Sequence, residues 1–163
     1  MKLGRFRIGM RTIKSSLAVM ICILLFHFFN RGEAMIAALA AVFSLRQDMP
    51  TTLSFARSRV LGNIIGGVAA LLYLFIQNLM PQSFLVELLF VPLTVALVIV
   101  LSDGINNHAG IISAIATLLL ISLNPLGDRS FAFAFQRILD TFIGTLVAVS
   151  LNYFIPLTTN KNE

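Results

Sequence analysis

The sequence predicts an all-α integral membrane protein whose six transmembrane helices form two inverted three-helix repeats. Three observations predict it. Of the 163 residues, 58% are hydrophobic and only 12% charged, and the mean hydropathy is +0.91. A water-soluble domain of this size has too little interior to hide so much apolar surface. The apolar residues fall in six runs separated by polar turns. Finally, a phrase at 59–67, Arg59-Val-Leu-Gly-Asn-Ile-Ile-Gly-Gly, returns 78 residues later as Arg137-Ile-Leu-Asp-Thr-Phe-Ile-Gly-Thr. The same ungapped offset pairs Phe55 with Phe133, Gly66 with Gly144, Ala70 with Ala148 and Ser44 with Ser122.

Residues 1–14 alternate basic and apolar types, and are expected to form a short helix in the membrane interface. Five of the twelve basic residues lie there (Lys2, Arg5, Arg7, Arg11, Lys14), a distribution that suits anionic headgroups better than nucleic acid. The six-helix domain is expected over 15–156, with repeat one at about 11–79, repeat two at about 84–156 and a cytoplasmic tail at 157–163. The first crossing, 15–29, is followed by Phe-Phe-Asn-Arg-Gly-Glu rather than a small-residue cleavage site, so it reads as a retained helix. Asn30 to Glu33 forms a polar turn. The second crossing, 34–45, is short and alanine-rich, a composition that lets helix backbones approach closely in lipid.

Pro50 suits a first helical turn, with Asp48 and Thr51 as capping candidates, and a long third helix follows to Leu79. Met80 to Ser83 breaks it. The fourth crossing, 84–101, contains Pro92, expected to kink it. Ser102 to His108 is expected as a polar loop, 109–123 as a second short crossing ended by Asn124 to Gly127, and 131–155 as the last helix. Cys22, the lone cysteine, is a packing residue.

Each repeat holds three crossings, so the second copy enters the membrane from the opposite side, the arrangement of many transporters, whose short segments flank the substrate path. With the N-terminus inside, nine basic residues face the inner side and three (Arg31, Arg129, Arg137) the outer. This places both termini in the cytoplasm of a bacterial-type inner membrane. The candidate path residues are Arg59 and Arg137, one at each mouth, with Asp140, Asn63, Thr141, Ser44 and Ser122. Ionisable groups in a bilayer are expensive and turn towards protein or water, and guanidinium binds carboxylates through two parallel bonds. Interfacial snorkelling is the plainer role, and the preferred one for Arg57. Arg137 and Asp140, three apart on one helix face, can pair. Asn63 and Thr141 are expected to bridge helices, and Ser44 and Ser122 to bond back to their own helices. Gly62, Gly66, Gly67 and Gly144 are expected to set helix packing. His27 and His108 have no carboxylate at ligand spacing, and nothing resembles a nucleophile–base pair, metal-ligand cluster or cofactor fingerprint, so neither an enzyme nor a cofactor is expected.

Several motifs resemble the aromatic acid exporter family, which is related to the fusaric acid resistance proteins and more distantly to plant malate channels. These are Arg11-Thr-Ile-Lys-x-x-Leu-Ala entering the first helix, Ser44-Leu-Arg-Gln ending the second, Arg59-x-x-Gly62-Asn63-x-x-Gly66, and its echo Arg137-x-x-x-Thr141-x-x-Gly144. The resemblance covers about residues 8–155 and implies a dimeric or higher homo-oligomeric six-helix domain that exports organic anions such as aromatic carboxylates. The first phrase carries Asn63 where threonine is usual, and the second has Asp140 beside Arg137. The sequence ends at Glu163, short of the cytoplasmic domain of fuller members. That supports the competing reading, a non-transporting membrane subunit or scaffold; an anion channel in place of an exporter is the other alternative.

Overall fold

A computed structural model describes residues 2–3, 6–7, 10–32, 34–79, 84–123 and 131–155. The breakers expected at 80–83 and 124–127, Arg129 and the tail at 157–163 lie outside the described residues. Among the described residues six α-helices carry the fold: α1 (Met10–Phe28), α2 (Met35–Ser44), α3 (Met49–Leu79), α4 (Phe84–Gly104), α5 (Ile111–Ser122) and α6 (Phe131–Phe154). Ahead of them, β1 (Lys2–Leu3) and β2 (Phe6–Arg7) pair antiparallel, Lys2 opposite Arg7 and Leu3 opposite Phe6. At 2–3 and 6–7 this replaces the helix expected over 1–14, while 10–14 are helical as the start of α1. Strict basic–apolar alternation has the two-residue period of a strand, not the period of a helix.

Met49–Leu79, Phe84–Gly104 and Ala132–Phe154 are long and apolar enough to cross a membrane, whereas Thr12–Phe28, Met35–Ser44 and His108–Ser122 are apolar but shorter. At 1.5 Å per residue, the 10 residues of α2 give roughly 15 Å, about half a hydrocarbon core of ~30 Å.

Local signals explain most boundaries. Asn30 (φ 47°) and Gly32 (φ 39°) make the turn after α1 in the left-handed region where Asn and Gly are tolerated. Asp48 caps α3, its Oδ2 accepting from the Thr51 backbone N–H at 2.8 Å and from the Thr51 hydroxyl at 2.5 Å. Helix α4 runs through Pro92 and on to Gly104, so the expected loop at 102–108 shrinks. Ser102, fully buried, belongs to the helix. Asn106 (φ 55°) then turns the chain into a 3₁₀ turn at His108–Gly110.

The helices gather into two compact units that cut across the sequence repeats: Met1–Arg57 with Asp140–Glu163, and Ser58–Leu139. In the first unit Ala18, Cys22 and Phe26 of α1 pack with Ala37, Ala41 and Leu45 of α2 and with Val147, Ala148 and Leu151 of α6. In the second unit Ala69, Ala70, Tyr73 and Leu74 of α3 pack with Val91 and Val98 of α4, Ala114, Leu118 and Ile121 of α5, and Ala134 of α6.

Both units contain the same close approach. A Cβ added to Gly66 would overlap the backbone carbonyl of Ala114 on α5, and one added to Gly144 would overlap the carbonyl of Ala37 on α2. Each repeat's long helix thus lies against the short helix of the other repeat. Ala37 and Ala114 are 77 residues apart, one fewer than the offset of the glycines, so the short helices have slipped by a residue. Gly62 meets the Gly110 carbonyl in the same way, and Gly67 meets the end of the Ile138 side chain. At all four glycines, then, a neighbouring element leaves little or no room for a side chain.

Helix propensity favours Gly→Ala by roughly 0.5–1 kcal/mol, but forcing a methyl into a backbone contact costs about 1–3 kcal/mol, and the second effect wins. Gly66→Ala and Gly144→Ala are expected to lower the melting temperature in detergent, whereas Gly104→Ala, with nothing within 4 Å of the added carbon, is expected not to lower it. Thr51 holds the Asp48 carboxyl below the usual carboxylate range, chiefly through its side-chain hydrogen bond. A lowered folded value gives stability that is present above the unfolded pKa and lost as pH falls through the folded one. Acid melts of Asp48→Ala are therefore expected to show a smaller fall in stability below about pH 4 than the parent chain.

Candidate functional site

Polar side chains gather at three places, one in the second unit and two in the first. In the second unit Asn63, buried on α3, accepts through Oδ1 from the hydroxyls of Ser113 (2.5 Å) and Thr117 (2.7 Å) on α5. Ser113 and Thr117 are four apart, so one helix face presents both donors. Asn63 thus bridges helices, as expected of it. One turn earlier the Arg59 carbonyl accepts weakly from Ser113 at 3.5 Å, and the Arg59 residue is half-buried. Asn107 donates to the Ser58 carbonyl at 3.1 Å, which ties the turn before α5 to the head of this stretch of α3. Successive contacts advance in step along α3 and α5, so the two helices run parallel. Half-buried Arg137 lies with its guanidinium carbon 4.5 Å from the Phe133 ring centroid, a cation–π arrangement.

In the first unit Asp140 accepts from Arg31 Nε at 3.1 Å. The chain between α1 and α2 supplies this partner, which an argument from helix spacing with Arg137 alone does not reach. At the opposite end of the same helices Lys14 is fully buried and donates to Asn152 Oδ1 at 2.8 Å. Asn152 Nδ2 in turn donates to Thr52 Oγ1 at 3.0 Å, and the Arg46 backbone N–H donates to the same oxygen at 3.0 Å. Lys14 meets Asn152 and Arg31 meets Asp140, so α1 and this part of α6 run antiparallel.

Sequence reasoning missed the Lys14–Asn152–Thr52 cluster and assigned Lys14 to lipid headgroups. A signal was present: Lys14, Ala18, Cys22 and Phe26 follow one another at four-residue spacing, and all four are buried. Thr141 is buried in the first unit. Ser44 and Ser122 are both fully buried at the ends of the short helices, and neither hydroxyl has a hydrogen-bond partner among the described residues. The expected back-bonds are therefore not made there, while Thr94 does make one, to the Phe90 carbonyl at 2.7 Å. His108, exposed, sits 2.9 Å from an Asp103 carboxylate oxygen because the Asn106 turn folds it back.

Between α1 and α6 of the first unit lies an apolar hollow of about 440 Å³, lined by Ile21, Leu25, Ile143, Leu146, Leu151 and Phe154 among others. The candidate arginines are not among its walls.

Replacing Asn63 by Ala strands two buried hydroxyls without their acceptor, which costs about 1–3 kcal/mol. Asn63→Ala is expected to lower thermal stability, and Asn63→Ala/Ser113→Ala/Thr117→Ala to recover part of the loss, because no donor is then left unsatisfied. A melt series in detergent checks the order.

Residues 6–155 match the family model described as aromatic acid exporter family member 1. The chain is also similar to a UPF0421 protein of Bacillus thuringiensis (strain Al Hakam), 26% identical over 149 residues that cover 91% of this chain and 39% of the relative. A UPF0421 protein of Bacillus cereus (strain ATCC 14579) is 25% identical over 149 residues, covering 91% of this chain and 40% of its own length. The chain thus spans about two fifths of the length of these relatives. No solved structure matches. The matched region runs from the basic N-terminal segment through the whole of α6, so this helical membrane protein belongs to the aromatic acid exporter family.

Proposed function

We propose that the chain is the membrane domain of a permease that exports small organic anions, aromatic carboxylates above all. Its family membership over residues 6–155 is the observation that carries this reading. In it all six helices cross a bacterial inner membrane, both termini are cytoplasmic, and the domain works as a homo-oligomer. The short helices α2 and α5 cross where neighbouring helices surround them or the bilayer thins. The matched glycine contacts Gly66–Ala114 and Gly144–Ala37 support an inverted repeat, since each joins the long helix of one copy to the short helix of the other. The parallel course of α3 and α5 suits a topology in which both run from the inner to the outer face.

Arg59 and Arg137 are the proposed anion-recruiting residues of the path. Both are half-buried, which gives each guanidinium access to water and to protein at once. Asn63, Asp140, Thr141, Ser44 and Ser122 are its proposed polar lining, with Asn63 and Asp140 also holding helices together. A guanidinium that contacts a carboxylate contributes roughly 1.5–3 kcal/mol through charge-assisted bonds.

Flux of benzoate through vesicles that carry the full chain tests this. Arg59→Ala and Arg137→Ala are each expected to cut flux about tenfold or more at subsaturating substrate, with Arg57→Ala unaffected. Unchanged flux in both variants sinks the arginine path.

A further inference from the structure

The cluster around Lys14 holds positive charge that no carboxylate among the described residues of the first unit meets. An ammonium has three N–H donors. Among the described residues, that of Lys14 reaches one acceptor, the neutral amide oxygen of Asn152, at 2.8 Å. Thr52 Oγ1 already accepts twice, from Asn152 Nδ2 and from the Arg46 N–H, so its own proton remains to be given. Arg46 Nε is buried without a hydrogen-bond partner, while the Arg46 guanidinium carbon rests 3.9 Å from the centroid of the Phe55 ring. Two residues before it, the Ser44 hydroxyl is buried and unpartnered as well. The nearby carboxylate in sequence, Asp48, is exposed and spends an oxygen on Thr51.

The inventory is one-sided. Among the described residues, Lys14, Thr52 and Arg46 offer donors and two cations, and no carboxylate meets them. Burying an ammonium without a counter-charge is costly, and a single bond to a neutral amide offsets only part of that cost. An anion supplies both what the donors lack and the missing charge.

We infer that the Lys14–Asn152–Thr52–Arg46 cluster is an anion subsite that takes the carboxylate of a small organic acid. Lys14 carries the charge, the Thr52 hydroxyl gives a second bond, and half-buried Arg46 marks the side from which the anion arrives. This rests on the organic-anion reading above and adds a site distinct from Arg59 and Arg137. Phosphate on an anionic lipid shares the chemistry, and the membrane composition separates the two sources.

The test measures thermal stabilisation of the full chain in nanodiscs of phosphatidylcholine, titrated with benzoate and with its neutral analogue benzamide. Benzoate is expected to stabilise the wild type and benzamide not. Lys14→Met is expected to weaken the benzoate response at least tenfold, and Lys14→Arg to keep it. Equal responses to benzoate and benzamide overturn the subsite, and that arm needs no variant. So does a Lys14→Met or Lys14→Gln protein that responds to benzoate as the parent does, the second variant serving where the first fails to fold. Stabilisation by phosphatidylglycerol nanodiscs with no response to benzoate overturns it in favour of a lipid headgroup site. Benzoate binding without vesicle flux would sink the permease and leave the subsite, whereas flux with a Lys14-independent benzoate response would do the reverse.

Discussion

Close backbone approach at glycine is the constraint on which both units depend. Where lipid is the solvent, apolar side chains gain little by leaving it for one another, and helices associate through contact area and polar bonds. Gly66 against Ala114 and Gly144 against Ala37 bring the long helices near enough to the short ones for both to matter. The short helices need that embrace most. Ten residues of α2 cannot be held by length, so burial of Ala37, Ala40 and Ala41 against neighbours does the holding. The alanines and glycines are therefore two halves of a single adaptation.

Polar contacts are placed around these joints with different purposes. Asn63 sits beside Gly62 and binds two hydroxyls on α5, just past the Gly110 turn that the glycine touches. Arg31–Asp140 and Lys14–Asn152 fasten opposite ends of α1 and α6 in the first unit. The first of these has its own counter-charge and is structural by that measure. The second has none among the described residues, and the asymmetry between them is what makes the Lys14 end chemically interesting.

Much of the fold was legible in the chain. Six apolar runs, the Pro50 and Asp48 capping signal and the glycine phrases depend on neighbours within a turn or two, and periodicity reports such relations directly. Among the candidate site residues, the repeat drew attention to Arg59, Asn63 and Arg137. Lys14 was hidden because its partner is 138 residues away and because a lysine beside four other basic residues looks like one more headgroup ligand. Asp140 was assigned to a helical neighbour at short range, yet it also receives Arg31 from 109 residues earlier. The serines misled for another reason. A back-bond is available to any helical serine, and whether it forms depends on packing that composition does not record. At 2–3 and 6–7 the expected helix gives way to a short ladder, where basic and apolar residues alternate with the strand period, and the chain is helical from Met10.

The pairing of Gly62 and Gly66 with Asn63 has a mechanical meaning. Glycine fixes how near two helices lie but is indifferent to sliding, since one stretch of bare backbone resembles the next. Asn63 is not indifferent, because a shift of one turn along α5 would carry its oxygen away from both hydroxyls at once. Distance and register are thus held by adjacent residues of one helix. Such a joint resists piston motion yet leaves tilting about the contact comparatively free, so within this unit α3 and α5 are built to pivot rather than to slide.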